Sequence, residues 1–165
     1  LIGMKNKIEG KDIEILKNGP ICKYFKTNVL NEDLIWFQNN KFEIIDMNLS
    51  NWTKHNFHKK LKESLHFPDY YGENLDAFND CLLDMIDTNF KGLILVFRHF
   101  DDFYKEDRQN SEAILDIISK QSRNWLLYGK KLIVLLHSKD SELDFPEFGG
   151  TSPHWNSSEW FNSDR

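Results

Sequence analysis

Two short stretches of the chain are apolar at every position. They cover residues 93–97 and 132–136. A half-exposed strand alternates apolar and polar side chains, whereas a strand covered on both faces is apolar throughout. We therefore predict two buried strands of a parallel sheet. Residues 42–47 and 21–25 are further strand candidates, and the second of these follows a Gly-Pro turn signal.

Apolar residues at helical spacing fill the intervals between these strands. Phe57, Leu61 and Leu65 recur four residues apart, among lysines. This helix should end before Pro68, because the residue that precedes proline avoids the helical conformation. Similar stripes predict helices over residues 31–39, 74–86 and 111–129. This order of elements predicts an α/β fold: a small parallel β-sheet of three core strands, with the N-terminal candidate as a fourth, flanked by helices.

Composition limits the cellular setting. The chain is 40% hydrophobic, with a mean hydropathy of −0.57. No apolar run approaches the roughly 20 residues that span a bilayer, and no apolar segment follows the N-terminal lysines as in a secretory signal. Cys22 and Cys81 are too few for a disulfide framework and lack metal-ligand spacing. We therefore expect a cytoplasmic protein with reduced thiols, no cofactor, no metal and no membrane partner.

Acidic residues concentrate in one segment of the chain. Residues 69–87 contain six Asp or Glu and no Lys, Arg or His, whereas the whole chain has a net charge of −5. The remaining residues are therefore slightly positive in sum. The negative net charge argues against a nucleic-acid partner, and the concentration of acid indicates a local function.

The acids of this segment have helical spacing. Asp76, Asp80 and Asp84 lie four residues apart, so a helix places them on one face, and Glu73 and Asp87 extend the row. Each like-charge pair costs a few tenths of a kcal/mol, and no base lies within a helical turn to relieve it. We interpret the row as a functional anionic surface that attracts a basic partner. A solvated charged face without a partner is the alternative.

Two consecutive tyrosines, Tyr70 and Tyr71, precede this helix beside Gly72. Tyrosine is common at protein interfaces, because it combines a large contact area and few rotatable bonds with a hydroxyl group. We expect one ring to pack under the helix and the other to face outward.

The segment FPDYYGENLDAFNDCL, residues 67–82, resembles the signature segment of the barstar family, the intracellular inhibitors of the ribonuclease barnase. A weaker, collinear likeness covers residues 41–138. The resemblance implies a barstar-like fold and a ribonuclease inhibitor that serves as the immunity protein of a toxin–antitoxin pair. Such a protein occludes the active site of a basic ribonuclease or nuclease toxin and is not itself an enzyme.

The site that the resemblance implies follows by position. In this family an acidic helix and the loop before it enter the nuclease active site, where carboxylates take the place of RNA phosphates. Asp80 matches the central acid, which meets the catalytic arginines and histidine of the nuclease, and Asp76 matches its neighbour one turn earlier. Flanking contacts fall on Tyr70, Tyr71, Gly72, Asn74 and Leu75.

Two positions depart from the family pattern. The family's tryptophan before the central acid is Asn79 here, and a further acidic contact on the last long helix falls on Lys120. Because both changes should weaken binding to barnase itself, we expect a different cognate nuclease, with Asp84 supplying a compensating acid. The predicted partner-binding residues are Tyr70, Tyr71, Gly72, Asn74, Leu75, Asp76, Asn79, Asp80 and Asp84.

The likeness also divides the chain into three parts. Residues 1–40 form an N-terminal extension, a strand plus a short helix packed on the domain, and residues 41–138 form the barstar-like domain. Residues 139–165 form an acidic tail, and we expect its aromatic residues Trp155, Trp160 and Phe161 to pack back on the domain.

Two rival functions fit parts of the pattern. An acidic binding module for a basic protein that is not a nuclease would need the same face. An enzyme could use carboxylates such as Asp101 and Asp102, or the pair His55 and His58, to bind a divalent metal. The loop spacing of known calcium sites is missing, however, and no third ligand accompanies the histidines.

Overall fold

The central element of the fold is a five-stranded sheet in the order β2-β3-β4-β1-β5, in which all pairs of neighbouring strands are parallel. The computed structural model describes residues 9–160. The strands are β1 (Ile21–Tyr24), β2 (Phe42–Asn48), β3 (Gly92–Arg98), β4 (Lys131–His137) and the short β5 (His154–Trp155).

Helices connect these strands and cover the sheet. They are α1 (Lys11–Leu16), α2 (Thr27–Asn39), α3 (Phe57–Leu65), α4 (Leu75–Asp84), α5 (Phe100–Glu106), α6 (Arg108–Leu127) and α7 (Ser157–Trp160). The predicted α/β fold, a parallel sheet flanked by helices, is confirmed. None of the helices in residues 9–160 combines the length and the apolar character needed to cross a membrane.

Both faces of the sheet are buried, which explains why the central strands are apolar at every position. Neighbouring residues of a strand point to opposite faces. One face packs against α3, α4, α5 and α6, and the other packs against α1 and α2. The first face carries Ile21, Leu93, Leu95, Phe97, Leu132, Val134 and Leu136. The second carries Cys22, Tyr24, Phe42, Ile94, Val96, Ile133 and Leu135.

Helix α2 is the main cover of the second face. Leu30 and Phe37 on this helix have no exposed surface. Phe37 packs edge-on against Phe42 of β2, with ring centroids 5.2 Å apart. Strand β1 runs beside β4, so the segment before residue 40 contributes both a strand and a covering helix.

The segment after β4 folds back onto β1. Strand β5 pairs with β1, and Asn156 behind it donates to the Tyr24 hydroxyl (3.0 Å) and to Asp33 (3.1 Å). The buried carboxylate of Glu159 accepts hydrogen bonds from the backbone N–H groups of Phe25 (3.1 Å) and Lys26 (2.9 Å). Because these N–H groups lie just before α2, the carboxylate also sits at the positive end of that helix dipole.

Several elements differ from the sequence-based expectation. Helix α2 begins at Thr27 and not at residue 31, and α1, α5 and β5 were not expected at all. Trp155 is half-buried in β5, while the side chain of Trp160 and the whole of Phe161 lie outside the described residues. The short elements escape prediction because long-range packing, and not local periodicity, determines them.

Removing apolar contact under α2 should destabilise the whole protein. We expect Leu30→Ala to lower the free energy of unfolding by about 2–5 kcal/mol, since it leaves a cavity in the second core. Ile35→Ala is the matched control on the same helix, because Ile35 is 59% exposed, and its effect should stay within about 0.5 kcal/mol. Urea unfolding measures both, and equal effects would contradict the role given to α2.

Candidate protein-binding site

Helix α4 has a well-defined beginning. The Asn74 side chain accepts a hydrogen bond from the backbone N–H of Ala77 (2.8 Å) and donates one to the carbonyl of Gly72 (3.2 Å). Asparagine is among the best residues for this N-cap role. An added Cβ at Gly72 would lie only 3.1 Å from the Asn74 amide nitrogen, so a larger residue would crowd the cap. The cap therefore fixes where the acidic row starts.

One face of α4 is anchored in the first core. Phe78 and Leu82 have no exposed surface, and Leu75 packs against the same cluster. The ring of Phe78 lies 6.1 Å from that of Phe67, in the segment that leads to the helix. Since α4 also packs against α6, its backbone is held from two sides. The helix is a rigid support for whatever its outer face carries.

The outer face of α4 is acidic and solvent-exposed. Asp76, Asp80 and Asp84 are all exposed, and no ion pair within the described chain involves them. Each side chain lies about one helical turn, roughly 5.4 Å along the axis, from the next. Burial raises the pKa of the nearby Cys81 thiol, and the charges of Asp84 and Asp80 raise it further. The three carboxylates thus form an anionic strip without internal neutralisation.

The acids that flank this strip behave in the same way. Glu73 and Asp87 are exposed, and neither takes part in an ion pair between described residues. Asp69 reaches only Lys62, at the long distance of 3.7 Å, and its side chain is fully exposed. A contact of that kind contributes little, because both groups remain solvated. We call the exposed row of Glu73, Asp76, Asp80, Asp84 and Asp87 the acidic face.

The two tyrosines before α4 point in opposite directions, as the sequence predicted. Tyr70 is 77% exposed, whereas Tyr71 is 5% exposed and packs against Phe67. The Tyr71 hydroxyl lies 2.6 Å from Nδ1 of His58 on α3. Burial raises the pKa of Tyr71 and lowers the pKa of His58, with Glu73 opposing the second shift. A neutral His58 therefore accepts a hydrogen bond from the Tyr71 hydroxyl, and this bond holds the loop against α3.

Asn79 links the acidic face to α6. Its carbonyl oxygen accepts a hydrogen bond from the Gln121 amide (2.7 Å), and its own amide lies 3.5 Å from a carboxylate oxygen of Asp80. The side chain of Gln121 is buried. Asn79 is thus a structural link between α4 and α6 beside Asp80.

Lys120, the second predicted departure from the family pattern, is an exposed base. Lys120 on α6 forms an ion pair with Asp116 one turn earlier (2.7 Å). It has no ion-pair contact with a described residue of α4. Its charge is therefore partly neutralised within its own helix, and it does not relieve the acidic face.

The predicted partner-binding residues lie on α4 and the loop before it, but their exposure differs. Tyr70, Gly72, Asp76, Asp80 and Asp84 are exposed, and Leu75 and Asn79 are half-buried. Tyr71 and Asn74 already make internal hydrogen bonds. Contact with a partner remains a prediction for all of the predicted residues. His58 and Gln121 were not singled out as supports, because each is far in sequence from the residue it holds.

The residues of the metal-enzyme alternative do not converge. Asp101 is buried while Asp102 is exposed, and His58 is bound to Tyr71 while His55 is exposed. Within residues 9–160, no three His, Cys, Asp or Glu side chains lie close enough together to hold a metal ion.

The fold and the site define a class: an α/β domain with a parallel sheet and a capped helix that presents an anionic surface. The chain belongs to the family described as Barstar (barnase inhibitor), because residues 42–137, more than half of its length, match that family. The matched segment contains the whole acidic face.

A protein of Bacillus subtilis (strain 168), named "Putative ribonuclease inhibitor YrdF", is 50% identical over 44 residues. The aligned stretch is 27% of this chain and 45% of that protein, so it spans less than half of the relative's length. The description of the family and the name of this relative both denote an inhibitor.

The acidic face should cost stability in the free protein. Asp84 is the last residue of α4, where a negative charge meets the negative end of the helix dipole. We expect Asp84→Lys to raise the free energy of unfolding by about 0.5–1 kcal/mol at low salt. Asp76→Lys is the control. Asp76 lies in the first turn, where the helix dipole favours a negative charge, so this change should raise the free energy of unfolding less or lower it. Urea unfolding at two salt concentrations tests this, and a destabilising Asp84→Lys would contradict it.

Stability should fall as the pH drops below about 6.5, the ordinary pKa of histidine. Burial lowers the pKa of His58, His137 and His154 in the folded protein, so the unfolded chain binds protons more readily. His58→Gln keeps an acceptor for Tyr71 but removes one titrating group. Urea midpoints at several pH values should therefore show a shallower dependence for this variant. An unchanged or steeper pH dependence would mean that His58 does not contribute to the loss of stability at low pH.

Proposed function

We propose that this protein inhibits a basic ribonuclease by placing the acidic face of α4, with the loop at Tyr70, over the nuclease active site. The observation that carries the proposal is the acidic face itself: exposed carboxylates on an anchored helix, without counter-charges, inside the family-matched segment. Asp80 is the central contact of the proposed interface.

The chemistry of an RNA-binding site explains why such a face would inhibit. A ribonuclease binds phosphates with arginine, lysine and histidine side chains, and a carboxylate can occupy the same position. Carboxylates pair with arginine through two parallel hydrogen bonds, which are strong because both groups are charged. The concentrated negative charge would also steer a basic partner toward α4 and accelerate association.

The biological setting we propose is immunity. A cell that makes a ribonuclease toxin needs an inhibitor in the compartment that holds its RNA, so we place the protein in the cytoplasm beside its cognate toxin. The two cysteines are buried free thiols, which suits a reducing compartment. We also propose that residues 9–40 and 139–160 are structural parts of the protein, since Tyr24, Asn156 and Glu159 join them to each other.

Parallel capture of a partner tests the proposal. The baits are the tagged wild type, Asp76→Ala/Asp80→Ala, and a control of equal charge change, Asp102→Ala/Glu106→Ala on the exposed side of α5. We expect wild type and control to recover a small basic protein from lysate of the source cells. The first variant should lose about 100-fold or more in affinity, because it leaves cationic groups of the partner unpaired.

The recovered protein is then assayed for RNA cleavage with and without added wild-type inhibitor. Cleavage that wild type suppresses, and that Asp76→Ala/Asp80→Ala does not, supports the proposal. Equal recovery of a ribonuclease on all three baits would place the interface elsewhere. A basic partner that cleaves no RNA would favour the rival function, an acidic module for a protein that is not a nuclease.

A further inference from the structure

Gln121 of α6 supports the acidic face from its inner side. Gln121 is 3% exposed, and its Nε2 group donates a hydrogen bond of 2.7 Å to the side-chain carbonyl of Asn79 on α4. Asn79 is half-buried and directly precedes the exposed Asp80, the central contact of the proposed interface. Since Gln121 occupies the carbonyl of Asn79, the NH₂ group of Asn79 is turned away from Gln121. This group lies 3.5 Å from a carboxylate oxygen of Asp80.

The carboxylate of Asp80 explains this orientation of the Asn79 amide. An amide can be turned over at little steric cost, because its oxygen and its nitrogen are similar in size. In the reversed arrangement Gln121 would accept from Asn79, and the Asn79 carbonyl oxygen would face the Asp80 carboxylate. Two oxygens that both carry negative charge repel each other. The arrangement with the N–H groups outward is therefore the favoured one.

The unpaired oxygen of Gln121 shows that this arrangement has a cost. Oε1 is buried and accepts no hydrogen bond from a described residue. A buried acceptor without a partner destabilises a folded protein. An apolar side chain of similar shape, such as methionine, would fill the same space without that cost. Stability alone therefore does not favour glutamine here, and its bond to Asn79 is what gives this side chain a role.

We infer that Gln121 is a positioning residue, which keeps the N–H groups of Asn79 outward and so makes Asn79 a hydrogen-bond donor within the acidic face. The inference rests on the proposed function, because it concerns the partner that α4 binds. A partner that covers α4 removes water from Asn79, and a desolvated donor needs an acceptor. The contact of 3.5 Å with Asp80 is too long to satisfy both hydrogens of the amide.

The partner therefore presents a hydrogen-bond acceptor to Asn79, among the cationic groups that meet Asp76 and Asp80. A ribonuclease active site has the chemistry for this. Acid–base cleavage needs a group that accepts a proton, and histidine and carboxylate side chains are the usual ones. A single donor among carboxylates matches such a mixed site, and it disfavours a basic partner whose surface carries only donors.

NMR of the free, isotope-labelled full chain tests the positioning without a partner. A scalar coupling across the hydrogen bond should join Nε2 of Gln121 to the side-chain carbonyl carbon of Asn79. The reversed coupling, from Nδ2 of Asn79 to the side-chain carbonyl carbon of Gln121, would overturn the inference. The absence of any coupling between the two amides would overturn it as well.

Affinity for the partner that the wild type recovers tests the donor. Asn79→Asp keeps an inner oxygen for Gln121 but replaces the outward N–H groups by a carboxylate oxygen. Asn89→Asp is the matched control, because it makes the same chemical change at an exposed residue near the end of the acidic face. Charge alone predicts that both variants bind a basic partner at least as tightly as wild type. We expect Asn79→Asp to lose about tenfold in affinity, and Asn89→Asp to stay within about twofold of wild type.

A double-mutant cycle separates positioning from a purely structural link. Gln121→Met should weaken binding about threefold in the wild-type background and leave affinity unchanged in Asn79→Ala, because no amide remains to be oriented. A structural role alone would give the same loss in both backgrounds. The inference is overturned by that result, or by an Asn79→Asp variant that binds as tightly as Asn89→Asp. Urea unfolding of each variant verifies that it is folded.

Failure of this inference and failure of the proposed function give different results. A recovered partner that cleaves no RNA contradicts the proposed function, while its affinities for the Asn79 variants still test the donor. A ribonuclease that binds wild type and Asn79→Asp equally contradicts the inference alone. The NMR test applies in either case, because it needs no partner.

Discussion

The rest of the structure depends on one constraint: a parallel sheet that is apolar on both faces must be covered on both faces. Helices α3 to α6 lie within the family-matched segment and cover one face. The other face, with Ile94, Val96, Ile133 and Leu135, is covered by α1 and α2, which precede that segment. The first part of the chain is therefore needed to complete the second core and is not an appendage, because an exposed apolar face of this size would aggregate.

The same constraint explains the polar contacts at the far edge of the sheet. Strand β1 extends the sheet beyond β4, and it needs cover at its own free edge. Strand β5 supplies a short cover, and Glu159 and Asn156 add hydrogen bonds to backbone and side-chain groups next to α2. The two edges of the sheet differ, because β1 pairs with β5 whereas no strand of residues 9–160 pairs with β2 on its outer side.

The elements that local hydrophobic patterns encode were predicted correctly. The unbroken apolar runs marked β3 and β4, and the spacing of Phe57, Leu61 and Leu65 marked α3, because burial of those residues follows directly from periodicity. The pair of tyrosines was correctly divided into one exposed and one buried ring. The supports of the site were missed, since the contact of Gln121 with Asn79 joins residues 42 positions apart and leaves no local signal.

These supports explain how the protein can keep an unfavourable surface. Repulsion along the acidic face would fray an isolated helix as short as α4, since helices of this length are marginal in water. Burial of Phe78 and Leu82, the Asn74 cap and the Gln121 contact offset that repulsion from the inner side. The helix backbone that carries the carboxylates is consequently ordered before any partner arrives. A preorganised helix loses less backbone freedom on binding, so more of the electrostatic attraction remains as affinity.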